Sequence, residues 1–372
     1  MSLGTANFCE AALFSLNLVG VNNPGNLIPR GGSLLAVNTP ETIAAGNMIR
    51  MVNENGRGHL KEVRTVFKPR RTKNQVTSNK DCEPGPYQGY IEDTFIPSNF
   101  SQISFSVPED QVRYYCTAYS DLKTISGAEV PNPAVLLGNA NASGPLRVMF
   151  ELAEEIQAQM NAMVQSINSE ILTIAEGYAG NWVGGASSKS FKVQNADGSV
   201  YAAGLQNLRQ ELKKIGFNGF PQIVGGYGAL DRIKDHDLNY FGLAANGLQF
   251  ENVMQEAGKE FRLFIDENVG EVLGDVDDSI IFFPGSLIFT PVPQYVGTFG
   301  KIGTEDRVRI PFSGVPNQML DLRVQGIPCD NEYAMWLEMK WDLWGAPTNM
   351  FTAPDFQAGV NGILKATFTQ GA

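Results

Sequence analysis

The stretch SGPLRVMFELAEEIQAQMNAMVQSINSEILTIAEG, residues 143–177, decides the fold class. Leu152, Ile156, Met160, Met163, Ile167, Ile171 and Ile174 recur at spacings of four and three, which draws one apolar stripe along a helix. Ser143-Gly144-Pro145 offers a cap and a proline in the first turn, where the missing N–H has no intrahelical acceptor anyway. Glu151, Glu154 and Glu155 suit the positive end of the helix dipole, and Gly177 is a natural stop. The spacing predicts a helix over 145–176, about 32 residues at ~1.5 Å each, or a rod of roughly 48 Å. Helices of globular domains average about 11–12 residues. The stripe lasts only about three heptads and lacks a flanking charge code, so a coiled coil is the weaker reading.

Downstream, Leu205, Leu208, Leu212 and Ile215 place a second helix near Tyr201–Ile215. From Pro221 the period changes to that of strands. Candidates are Phe261–Val269, Ser279–Thr290 broken at Pro284-Gly285, Arg307–Phe312 and Leu320–Ile327. The strongest alternation is Tyr333–Leu343. Tyr333, Met335, Leu337, Met339, Trp341 and Leu343 share one face, opposite Ala334, Trp336, Glu338, Lys340 and Asp342. A long helix followed by segregated strands means α+β.

Upstream, the charge pattern divides in two. Residues 50–80 carry nine Lys and Arg against Glu54 and Glu62, a balance of +7; residues 81–112 carry six acids and no base, a balance of −6. Val63, Thr65 and Phe67 alternate with polar neighbours on the first limb, and Ile103, Phe105 and Val107 on the second. Between them lies a tip rich in Pro, Gly, Asn and Lys, about Pro69–Gly89. This predicts a long two-stranded excursion, positive outward and negative on return. Charge runs are most often solvated faces, but Tyr87, Tyr90, Phe95, Ile96 and Phe100 would be exposed on a free hairpin, and an isolated hairpin is only marginally stable. The candidate intersubunit contacts are therefore Arg57, Lys61, Arg64, Lys68, Arg70, Arg71, Lys73 and Lys80 on one limb and Asp81, Glu83, Glu92 and Asp93 on the other.

Residues 1–49 hold short apolar patches separated by turn formers such as Asn22-Asn23-Pro24-Gly25 and Pro29-Arg30-Gly31-Gly32, which predicts an arm lying along another surface. No Lys or Arg precedes Arg30, so the charged region of a signal peptide is missing, and no stretch approaches the ~18 apolar residues of a membrane span. A soluble protein made in the cytoplasm is expected.

Composition narrows the chemistry. A net charge of −11 over 372 residues disfavours general nucleic-acid binding, which needs clustered Lys and Arg. Cys9, Cys82, Cys116 and Cys329 stand far apart without a CxxC pair, against a disulfide scaffold or zinc ribbon. Only His59 and His236 are present; neither has a paired spacing, and His236 sits in the charged string Asp231–Asp237, as a solvated residue would. In Gly184-Gly185-Ala186-Ser187-Ser188-Lys189-Ser190 a serine stands where a phosphate loop needs glycine before the lysine, so a flexible loop is expected. Gly225-Gly226-Tyr227-Gly228 lacks dinucleotide spacing and is read as a turn. Asp275, Asp277 and Asp278 are followed by Ser279 and Ile280 where a calcium loop needs Asp or Asn and then Gly; a turn is expected. These readings predict no catalytic residue, no cofactor and no metal, and leave a hydrolase using the acidic cluster as a minor alternative.

The order of these parts resembles the major capsid protein of tailed bacteriophages, a fold shared with encapsulins and the herpesvirus capsid floor. Phe217–Gly226 (FNGFPQIVGG), Ile281–Leu287 (IFFPGSL) and Gly362–Phe368 (GILKATF) are similar to strand-and-turn phrases of that family. The resemblance implies an N-terminal arm at 1–49 and an extended loop at 50–115. It further implies a peripheral domain at 116–220 and 329–372 around a spine helix at 145–176, and a β-rich axial domain at 221–328. It also implies a subunit that self-assembles through hexamers and pentamers into an icosahedral or prolate shell around double-stranded DNA, without sequence-specific binding and without a membrane. Portal, scaffold and decoration proteins would be its partners. An encapsulin-like compartment shell or another phage structural protein, such as a tail component, is the alternative; the long arm and large loop favour the phage shell.

Overall fold

The stretch rich in glycine, asparagine and proline at 20–31 falls at the end of a helix rather than breaking one. Residues Thr5–Asn22 form α1, followed by α2 (Gly32–Val37) and α3 (Pro40–Ile49), in a computed structural model that describes residues 5–22, 32–52, 63–67, 91–199, 201, 203–215, 220–233, 262–292, 299–302, 305–312, 318–327, 332–347 and 359–371. Phe8, Cys9, Ala11, Ala12, Phe14, Leu16 and Leu18 of α1 are buried. These residues cover most of the helix, leaving one narrow side with Asn7 and Asn17 exposed and Glu10 half-buried, and α1 lies against later elements of its own chain. This corrects the expectation of broken apolar patches lying on a separate surface: the turn formers cluster after the helix, not inside it.

The chain then runs β1 (Arg50–Val52), β2 (Val63–Phe67), β3 (Ile91–Phe95), β4 (Asn99–Pro108), α4 (Glu109–Ser126), α5 (Pro133–Leu136) and α6 (Ser143–Tyr178). The spine helix is thus present and slightly longer than its stripe. Leu152, Ile156, Met160, Met163, Ile167 and Ile171 are buried and Ile174 half-buried. Each fully buried side chain of this size contributes about 1.5–3 kcal/mol. Ser143 does not cap the helix; its hydroxyl donates to the Ala140 carbonyl in a preceding 3-10 turn (3.0 Å). Gly177 is not the stop either. The helix ends one residue later, where the buried Asn361 donates to the Tyr178 carbonyl (2.8 Å) and to that of Ala346 (2.9 Å).

β5 (Ser188–Gln194), α7 (Gly204–Ile215), β6 (Gln222–Gly225), a helix over 227–233, β7 (Arg262–Ile265), a short helix at Val269–Val272, β8 (Asp278–Phe282), β9 (Leu287–Val292), β10 (Phe299–Ile302), β11 (Glu305–Pro311), β12 (Met319–Ile327), β13 (Glu332–Gly345) and β14 (Ile363–Gln370) follow. β8 and β9 are parted at Pro284-Gly285, as the sequence predicts. Three sheets result: β1-β2-β3; β10-β11-β12-β13-β4 with β9 also on β13; and β5-β14-β8-β6-β7. In the second sheet β13 pairs β12 over 332–338, β4 over 332–341 and β9 over 340–345. Its face of Met335, Leu337, Met339, Trp341 and Leu343 is buried with Val308, Ile310, Leu320 and Leu322, and the sheet packs on α1, α4 and α6.

The third sheet is covered on both faces, which explains its continuous apolar runs. Ile223, Ile281, Leu364, Ala366 and Phe368 meet Leu205, Leu208, Leu212 and Ile215 of α7. Val224, Ile280, Phe282 and Ile363 join the core around α6.

Two differences from the sequence reading concern pairing. Val63–Phe67 does not pair with Ile103–Val107; it pairs with Ile91–Phe95, and Ile103–Val107 pairs with Tyr333–Leu337. Alternation reveals a half-buried strand but carries no partner label. The sheets also cut across the expected boundaries at 220 and 328. β10–β12 share a sheet with β13, because short connections make neighbours of consecutive antiparallel strands. β5 and β14 instead flank each other beside β8.

Candidate functional site

The charged excursion is the candidate surface, and its root is built from four elements. α3 passes directly into β1, whose register on β2 sets Arg50 against Thr65 and Val52 against Val63. β2 and β3 set Thr65 against Asp93, Val66 against Glu92 and Arg64 against Thr94. The Thr65 hydroxyl, buried, donates to the Asp93 carbonyl (3.2 Å). The Asp93 carboxylate accepts the indole N–H of Trp344 (3.0 Å), and Phe95 packs on Ile288, Trp344 and Ala346. Just beyond, Asp342 accepts from the Ser98 N–H (3.3 Å) and the Asn99 amide (3.4 Å). The described strands β2 and β3 are therefore fixed to the end of β13.

The solvent-side face of the second sheet carries charge in cross-strand rows. Asp321 and Glu338 are direct partners, both buried, and like charges so placed repel. Arg323 holds Glu338 (2.8 Å), Gln102 donates to the same carboxylate (3.0 Å), and Arg309 faces Asp321 (3.7 Å). The Arg323 guanidinium also lies over the Trp336 ring, 3.9 Å from its centroid. Burial beside the Arg323 charge lowers the Arg307 pKa, with burial the larger cause and the nearby carboxylates opposing it.

The acidic cluster is neutralised by protein cations. Asp277 pairs with Arg232 (2.5 Å), which also donates to the Phe368 carbonyl (2.7 Å). Asp278 accepts from the Thr367 hydroxyl (2.6 Å) and faces Lys365 (3.4 Å). Lys365 reaches Glu176 at the end of α6 (2.7 Å) and the Leu273 carbonyl (3.1 Å). Asp275 turns back on the Asp277 N–H (3.1 Å). Asp277 and Asp278 thus pin the last strand to the sheet, and Lys365 ties it to the spine helix. Among the described residues no group of three or more His, Cys, Asp or Glu is placed to hold a metal ion, and no helix is long and apolar enough to cross a membrane.

The glycine motifs are structural. The Trp182 N–H donates to the Ala186 carbonyl (2.7 Å) across Gly184 and Gly185, both at positive φ, so this is a tight turn into β5 rather than a loose loop. Gly225-Gly226 is a strand-to-helix junction at which a Cβ on Gly226 would strike the Val276 carbonyl. Cys9 and Cys116 are buried free thiols; burial, aided at Cys9 by the Asp306 charge, pushes them up to about 12 and about 11, which keeps them unreactive.

In solved structures the chain is similar to phage proteins. The likeness to a structure from Mycobacterium phage Adephagia spans 89% of this chain and 90% of that one at 9% identity, with a TM-score of 0.43. The capsid of Ralstonia phage GP4 is matched over 85% of each chain at 9% identity and a TM-score of 0.44. The mature capsid of bacteriophage PhiM1 is matched over 86% of this chain and 84% of that one, at 11% identity and a TM-score of 0.40. No family model matches the sequence, and no curated protein matches it.

Of the candidate contacts, Arg64 stands on β2, and Glu92 and Asp93 on β3 with both acids exposed overall. Arg57, Lys61, Lys68, Arg70, Arg71, Lys73, Lys80, Asp81 and Glu83 lie outside the described residues, as do His59, His236, Cys82 and Cys329. Sequence reasoning missed Trp344, Asp342 and Asn361. Trp344 stands one residue past the alternating run, where a tryptophan switching faces was the available signal.

Proposed function

We propose that this chain is the repeating subunit of a tailed-phage shell, closing through hexamers and pentamers into an icosahedral or prolate capsid around double-stranded DNA. One observation carries the reading. The charged stretch of some forty or more residues between the described β1 and β4 strands has its described strands β2 and β3 locked to the body by Asp93–Trp344, with Asp342 holding the residues just beyond. A body that fixes the base of such an arm so firmly is suited to placing it on something outside itself. The oppositely charged limbs supply complementarity between identical copies.

In this reading residues 50–110 lie across a neighbouring subunit, with Arg57, Lys61, Arg64, Lys68, Arg70, Arg71, Lys73, Lys80, Asp81, Glu83, Glu92 and Asp93 as contact residues. The peripheral region is 116–220 with 329–372 around the spine helix and the axial region is 221–328, joined by sheets that draw strands from both. Shells would assemble in the host cytoplasm, with portal, scaffold and decoration proteins as partners, and the subunit has no catalytic task. Negative-stain microscopy of the purified protein tests this. Closed shells or capsomer sheets are expected; a protein that remains monomeric across salt and crowding conditions removes the reading.

A further inference from the structure

β4 stands at one edge of the second sheet, with β13 as its strand partner among the described residues. Its residues Asn99–Pro108 pair with β13 in unbroken register from Trp341 to Glu332, so the strand has no bulge. The other side of such a strand presents a row of backbone N–H and C=O groups, which proteins ordinarily guard with a charge, a proline, a bulge or a covering element. The remaining edge strands follow that rule. β1 carries Arg50, β3 Glu92 and Asp93, β5 Lys189 and Lys192, β7 Arg262 and β10 Lys301. β9 lacks a charge, but it holds Pro291 and is buried from Leu287 to Thr290.

β4 reads NFSQISFSVP, without one charged side chain, and its proline is the last residue. Phe100, Gln102, Ser104 and Ser106 are exposed on one face, Phe100 by 47%. On the other face Ile103 and Phe105 are only half-buried, packed against the core from one side. A long, regular edge with none of the usual guards fits a second strand laid beside it, which would satisfy the row of backbone groups and cover these two side chains.

We infer that β4 pairs antiparallel with β4 of a second copy about a twofold axis through Ser104, joining two sheets into one. The occupant follows from the strand's own sequence. In a twofold pair whose side chains keep their faces, one residue lies opposite itself and its neighbours exchange partners. About Ser104 this sets Ile103 against Phe105 of the second copy and Phe105 against its Ile103, an aromatic–β-branched pair on each side of the axis. Gln102 meets Ser106 in the same way, and residues 100–108 all find a partner. A charged edge would set like charges near each other in such a pair; β4 has none to set. A single strand pair is a small interface beside the ~800 Å² per partner of a standard one, so it is weak alone and acts where other contacts already hold copies together. It rests on the reading of the chain as a self-assembling subunit.

Two experiments decide it. Ser104→Cys, oxidised at high concentration, should give a covalent dimer and nothing larger on a non-reducing gel, because a residue on the axis lies ~5 Å from its own copy. Ser106→Cys should give several-fold less, since four residues, ~13 Å, separate it from its copy; oxidised wild type controls for the native thiols. Ser104→Lys and Ser104→Asp, each meeting its own charge, should each lower the assembled fraction several-fold, and a one-to-one mixture of the two should recover it. Circular dichroism checks that each of these exposed substitutions leaves the fold intact. A dimer specific to Ser104→Cys without shells leaves the contact standing and removes the capsid reading. Shells with equal dimer yields from the two cysteine variants, or a mixture no better than either charge variant, overturn the contact and leave the capsid reading intact. Neither dimer nor shells removes both.

Discussion

The indole N–H of Trp344 donates to the Asp93 carboxylate at 3.0 Å, across 251 positions of sequence. Trp344 stands in the buried run Leu343–Gly345 that closes β13, and Asp93 stands in the first described strand of the returning limb. The bond ties the base of the excursion to the longest strand of the body.

Asp93→Ala should therefore loosen the root. It leaves the N–H of a buried indole without its acceptor, which costs about 1–3 kcal/mol. The expected result is a lower denaturation midpoint, with faster hydrogen exchange in 63–67 and 91–95 than elsewhere. Unchanged stability and unchanged protection of those strands would mean that the root is held without this bond.

Replacing Arg70 and Arg71 together with Glu should block assembly and spare the fold. Both follow Pro69 near the tip, far in sequence from the stripe of α6 and from β13. Surface substitutions usually shift stability by within ~0.5 kcal/mol, whereas a like charge across an interface costs several kcal/mol. Circular dichroism and melting compared with sedimentation separate the two effects. Normal shells from this variant would make the limb a solvated face.

Gln222→Met should stabilise the subunit. Gln222 is 0% exposed on β6, and among the described residues neither amide atom has a hydrogen-bond partner. An unsatisfied buried polar group costs about 1–3 kcal/mol, and an apolar group of similar length removes that penalty. Thermal melting reads the sign directly; a fall in midpoint would show that the amide is satisfied in solution.

Stability should fall as pH rises from about 8.5. The folded thiols of Cys9 and Cys116 stay protonated up to about 12 and about 11, while unfolded thiols ionise near 8.5. Between those values the unfolded chain holds fewer protons than the folded one, so the slope with pH is negative. Denaturant midpoints at pH 8 and pH 10 should differ less in Cys9→Ala than in wild type. Equal differences would place the loss elsewhere, for instance at Tyr119, which burial also raises, to about 12.

What could be read from sequence was whatever repeats locally. The 3.6-residue stripe from Leu152 to Ile174 and the period-two run from Tyr333 to Leu343 each record burial on one face, and both elements are present. Pro284-Gly285 marked the break between β8 and β9 because its backbone cannot continue a ladder. Partners left no such mark. Nothing near Val63 specifies Phe95 rather than Val107, and nothing near Asp278 announces Lys365, because those choices are made by parts of the chain that meet only in three dimensions. α1 was misread because buried residues cover most of its circumference, so no narrow apolar stripe stands out. For the site, the charge reversal near residue 80 was visible, but the root at Asp93, Asp342 and Trp344 depends on strand order that periodicity does not encode.

The pairing of β4 with β13 sets a clock on synthesis. Asn99 lies opposite Trp341, so a ribosome that has released the first of these strands must add some two hundred and forty further residues before the second emerges. At ~5–20 residues per second that is roughly 10–50 s. Throughout that interval the excursion has left the exit tunnel while its footing does not yet exist. If the excursion is the contact surface proposed above, nascent chains on one messenger cannot yet use it on one another, and that capacity comes only when translation is nearly over.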